Sequence, residues 1–159
     1  MNSMKKYFFI ILAFLAFISC EKQQYIIFDH PYVFVKYSND AAMSETSSVL
    51  SMSNNLVRSY DFCLSSKTPE HPITVFYEIV AGNGLTEGVD YEILDKGNSV
   101  TFEPGTFIQP ISIKYLRRKV DKNMDNTITI RITGSDPVMD IGVPGETPKN
   151  SFHTIRKSN

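Results

Sequence analysis

Asp90 and Glu92 are the side chains best spaced for acid–base work. Residues i and i+2 of a strand share one face at about 7 Å. That falls within the roughly 5 to 10 Å separating the two carboxyls of glycoside hydrolysis. Any acidic strand pair meets this test, however. Tyr91 reads as core and Asp90 as a turn anchor, so no catalytic residue is expected. The second group is cationic. Lys114, Arg117, Arg118, Lys119 and Lys122 fall at a strand end and turn. Guanidinium forks there suit the carboxylates or phosphates of an anionic glycan, lipopolysaccharide or acidic partner. Such a run also serves to keep a sheet edge from pairing with other chains. The third group is aromatic. Tyr77 shares a strand face with Ile73, Val75 and Ile79, and Phe76 shares the other with Thr74, Glu78 and Val80. One face must be outside, so an aromatic ring is exposed either way. Rings that stack on sugar faces make Tyr77, Phe76 and Tyr115 the candidate ligand contacts, with Arg117, Arg118 and Lys119 beside them.

Other chemistry is thinly represented. His30, His71 and His153 are isolated, with no second ligand at metal-binding spacing, and each reads as a surface or turn histidine. Neither a metal nor a cofactor is expected. No nucleophile elbow or phosphate-binding glycine loop occurs, and Gly82-Asn83-Gly84 has no helix after it. The formal charge of −1 lacks the basic excess that nucleic-acid binding requires. Of the two cysteines, Cys63 sits between Phe62 and Leu64 and reads as a small strand hydrophobe.

Cys20 is different. Lys5 and Lys6 precede an almost unbroken apolar run from Tyr7 to Ile18. That run is shorter than the about twenty residues of a membrane-spanning helix and suits a secretory leader. Ser19 and Cys20 close it, and the chain turns polar at Glu21. The pattern resembles a lipoprotein signal, with residues 1–19 removed, Cys20 acylated as a membrane-lipid anchor, and 20–30 serving as tether. Loss of Lys5 and Lys6 leaves the remainder more acidic by two charges. One acid among Glu21 to Gln24 leaves both faces of the outer membrane open.

The elements that must position these groups are strands. Gly88 to Tyr115 reads as strand, glycine turn, strand, Pro104-Gly105 turn, strand, with Val100 and Phe102, then Ile111 and Ile113, alternating with polar residues. Further strands are expected over 31–37, weakly over 48–53, then over 56–64, 73–80, 126–133 and 151–157. Pro110 marks an edge or a bulge, and 134–150 reads as loop. Without helical periodicity after the leader, residues 31–159 are read as one all-β domain. Its expected form is an antiparallel β-sandwich of about seven to nine strands.

Gly88-x-Asp90-Tyr91, then Thr101-Phe102-x-Pro104-Gly105, then Ile111-x-Ile113 is similar to the Calx-beta type of immunoglobulin-like module. The stretch Asp140 to Gly145 and the strand after it look like the close of the N-terminal module in Bacteroidetes outer-membrane lipoproteins, many from Sus-type polysaccharide-utilisation systems. The resemblance implies an immunoglobulin-like sandwich at the outer membrane, with polysaccharide or outer-membrane transport and binding proteins as partners. Calcium-binding members place acids after the Ile-x-Ile strand. Here Arg117, Arg118, Lys119 and Lys122 stand there, and no calcium site of that kind is expected. The function implied is a non-catalytic binding or spacer module. The alternative is an adhesin-like subunit assembling through an exposed edge strand.

Overall fold

A computed structural model describes residues 30–41, 46–51 and 53–159. The leader, Cys20 and the tether up to residue 29 lie outside the described residues. Ten strands form among these residues: β1 Tyr32–Tyr37, β2 Ser47–Ser51, β3 Leu56–Ser65, β4 Ile73–Ala81, β5 Tyr91–Ile93, β6 Ser99–Phe102, β7 Ile108–Tyr115, β8 Thr127–Asp136, β9 Asp140–Ile141 and β10 Phe152–Ser158. There is no helix among the described residues. The strands make two five-stranded sheets, ordered β5-β7-β3-β1-β9 and β2-β10-β8-β4-β6. The two sheets stack as a sandwich-like pair of layers.

Period-two patterning decides which side chains meet between the sheets. Tyr60, Phe62, Ile111, Ile113 and Tyr115 of the first sheet face Tyr77, Phe102, Ile128, Ile130 and Ile155 of the second in one buried cluster. Phe62 and Tyr77 bring their ring centroids to 4.9 Å across the layers. Each such large side chain taken from water contributes on the order of 1.5–3 kcal/mol. Gly97 and Gly105 take φ of 143° and 86° in the turns flanking β6, where a side chain would be strained. This matches the turns expected there.

Three expectations need correction. The sheets are mixed, because β9 pairs parallel to β1 and β2 parallel to β10. Alternation fixes which face of a strand points inward and carries no information about its direction. Ten strands replace seven to nine, since β9 lies inside the stretch read as loop and β8 extends to Asp136. That same stretch clasps the first sheet: Gly142 N donates to Val33 O at 2.7 Å, and Val35 N donates to Asn150 O at 2.8 Å. Val143 then packs with Tyr32, Phe34 and Cys63 on the sheet's outer side. β1 is thus covered on both faces, as its unbroken Tyr-Val-Phe-Val run requires. Finally, β7 is an interior strand, yet Pro110 breaks no ladder. β5 pairs only with residues 113–115 of β7, so the Pro110 nitrogen points to an uncovered edge beyond the end of β5.

Candidate functional site

The outer face of the second sheet carries the exposed aromatics. On β4, Ile73, Val75 and Tyr77 point inward while Phe76, Glu78 and Val80 point out. Phe76 is 42% exposed. A register shift between Phe76 and Tyr77 places Phe76 opposite Gly134 of β8. The Phe76 ring is 4.0 Å from the point where a side chain would begin on Gly134, so glycine leaves it an open seat. One step along, Glu78 faces Arg131 in an ion pair of 3.2 Å. Beyond Arg131 stands Phe152 of β10, also exposed. Hydroxyl pairs border the row, Thr129 with Thr154 at 3.0 Å and Thr74 with Thr101 at 3.3 Å. Two phenyl rings, an exposed ion pair and threonine hydroxyls on a shallow sheet can offer both stacking and hydrogen bonds to a polyhydroxylated ligand.

Two of the candidate contacts lie elsewhere. Tyr77 is 3% exposed and Tyr115 is fully buried, so neither reaches a ligand at the surface. The phenol oxygen of Tyr115 lies 2.8 Å from that of Tyr60 in the core. Burial pushes the Tyr60 hydroxyl up to about 12, against the lowering pull of Tyr115 and the Arg58 guanidinium, and raises Tyr115 as well. Each phenol is satisfied by the other, which is how two tyrosines are tolerated in a dry interior. Arg58 lies 4.8 Å from the Tyr37 ring centroid, in a cation–π contact at the margin of this pair.

The basic residues separate into two groups. Lys114 is held by Glu92 at 2.9 Å. Arg117, Arg118 and Lys119 are exposed and form no ion pair among the described residues. With Ser158 and Asn159 they line a depression of about 310 Å³. Lys122 lines an adjoining depression with Arg156. Asp90 is buried and takes the ammonium of Lys157 at 3.3 Å and the Thr86 amide at 3.0 Å. It is the turn anchor the sequence suggests, whereas its buried partner Lys157 escaped that reading. Asp90 and Glu92 thus serve different cations.

His30 and His71 are exposed. His153 is neither a surface nor a turn residue: it is buried, with its ring centroid 5.5 Å from that of Tyr60 and Nε2 3.3 Å from Ser48 Oγ. Cys63 is buried, and desolvation lifts its thiol to about 11, the behaviour of an inert core thiol. Among the described residues no group of three or more His, Cys, Asp or Glu could hold a metal ion. An apolar cleft of about 360 Å³, lined by Pro31, Pro69, Pro137, Val138 and Met139, opens at the end of the molecule where residue 30 enters. Sequence patterning did not mark it, since its walls come from two loops distant in the chain.

No protein-family model matches the chain, and no curated protein sequence matches it.

Proposed function

We propose that this chain is a cell-envelope lipoprotein whose single immunoglobulin-like, Calx-beta-like sandwich is a non-catalytic binding module. Acylated Cys20 anchors it to the outer membrane, and the sheet face around Phe76 and Phe152 captures polysaccharide for larger outer-membrane partners. The observation that carries this reading is the pair of exposed phenyl rings flanking the Arg131–Glu78 ion pair. Exposed phenyl rings on a polar face are costly to leave in water, and a ligand that covers them recovers that cost. The engagement of Asp90 by Lys157 supports the non-catalytic part. Affinity electrophoresis of residues 21–159 through gels holding neutral plant and host polysaccharides tests the binding. Retardation by one glycan, lost on Phe76→Ala, is expected; no retardation by any of them rules out direct capture by this face. Incorporation of a labelled fatty acid by the full chain, absent in Cys20→Ala, tests the anchor.

A second reading has its own support. β2 is a five-residue, serine-rich edge strand that places only Leu50 in the core, and no described residue pairs with its outer edge. An adhesin-like subunit would assemble by adding a strand to such an edge. Concentration-dependent association in sedimentation favours it, and a strictly monomeric domain counts against it.

A further inference from the structure

The loop after β7 is built more firmly than a solvated charge run needs to be. Arg117 N donates to Asn55 Oδ1 at 2.7 Å. Val120 N donates to Asn159 Oδ1 at 2.7 Å, and Asn159 Nδ2 donates back to Val120 O at 2.9 Å. The Val120 side chain is buried as a plug. The three residues Arg117, Arg118 and Lys119 are thus displayed on a backbone fixed at both ends. The nearest acids in sequence are turned to internal donors: Asp121 accepts from Asn123 N at 2.9 Å, and Asp125 accepts from the Thr127 hydroxyl at 2.7 Å.

We propose that the depression walled by Arg117, Arg118, Lys119 and Asn159 is an oxyanion site that takes the carboxylate or sulfate groups of an acidic polysaccharide. Two guanidinium forks carried side by side on a fixed backbone bind planar or tetrahedral oxyanions bidentately, and fixing that backbone beforehand removes part of the ordering cost. The walls hold no aromatic or aliphatic anchor of the kind that centres protein interfaces, which favours a hydrophilic polymer over an acidic protein. The position argues against membrane headgroups. Residue 30 enters beside Tyr32, which pairs with Ser65, whereas Tyr115 pairs with Leu56 at the far end of β3. That strand separates the loop from the point of entry by roughly 30 Å. A chain tethered through its N-terminal segment therefore carries the basic loop at the end farther from its anchor. The proposal rests on the envelope reading only for this orientation, and the loop is separate from the Phe76 face.

The test uses the full chain in non-ionic detergent, with polygalacturonate, dextran sulfate, neutral dextran and phosphatidylglycerol vesicles as probes. Binding to at least one acidic polymer and not to dextran is expected. Arg117→Gln with Arg118→Gln should weaken it about tenfold or more, with an unchanged circular dichroism spectrum. Arg117→Lys with Arg118→Lys should restore only part, because charge returns without the fork. Phe76→Ala should leave acidic-polymer binding intact, which separates this proposal from capture by the aromatic face. Equal binding to dextran, no binding to either acidic polymer, indifference to the double Gln variant, or binding to the vesicles alone overturns it.

Discussion

Lys157 and Asp90 make the costliest commitment at the scale of single residues. Both are buried, and the ammonium also donates to the Asp90 carbonyl at 3.2 Å. Removing one partner strands the other charge in a dry site, so Lys157→Met should cost about 3–5 kcal/mol in urea unfolding. Adding Asp90→Asn should recover part of that loss. If Lys157→Met is neutral, the pair does not hold the Thr86–Asp90 turn to β10. The tyrosine pair makes a prediction of opposite character. Tyr60 titrates near 12 when folded against an ordinary 10.0, and Tyr115 is shifted the same way. The unfolded chain therefore sheds these protons first. The two phenols should contribute in full below about pH 10 and lose about 1.4 kcal/mol per unit each as pH rises towards 12, after the raised Cys63 thiol begins a like decline near its ordinary 9.0. Urea midpoints between pH 9 and 11 check this, and a flat profile contradicts it. Part of this lies in the sequence pattern, although the sequence reading places His153 at a surface or turn and leaves Lys157 unmarked. The alternation of β10 puts His153, Ile155 and Lys157 on one face, and an inward Ile155 carries the other two in with it. The Tyr60–Tyr115 pairing was not legible, because it depends on the register of two strands far apart in sequence.

Among the elements, β2 and β7 show what pattern conveys and what it omits. The short strand around Val49 was readable from apolar residues in a serine-rich stretch. Its parallel pairing to β10 was not, since both directions bury the same Leu50. Leu50 is 1% exposed and Val49 66%. Leu50→Ala should cost about 2–5 kcal/mol, whereas Val49→Thr should stay within about 0.5 kcal/mol. Equal effects in thermal melts would mean that β2 does not plug the core. Pro110 signals an edge or a bulge, and the edge holds locally, because an interior strand has an open edge wherever its neighbour is shorter. Phe76 and Tyr77 left two faces to choose between, and the choice depended on which residues of β8 and β6 lay alongside. The depression at Arg117 to Lys119 needed the side chains of Asn55 and Asn159, which no local motif brings together.

The described residues present two chemically distinct surfaces on one pair of sheets: an aromatic, hydroxyl-bordered face on the second sheet, and a cationic loop at the end remote from residue 30. Its fold class follows from alternation and turn residues, while its binding surfaces follow from register, which alternation does not encode. The central claim is that the Phe76 face binds sugar. The most direct measurement is an aromatic carbon–proton NMR titration of residues 21–159 with a panel of neutral oligosaccharides. The account predicts shifts concentrated on Phe76 and Phe152, with the buried Tyr60 and Tyr115 resonances unmoved. Shifts confined to aromatic rings other than Phe76 and Phe152, or no shifts with any sugar, would contradict it.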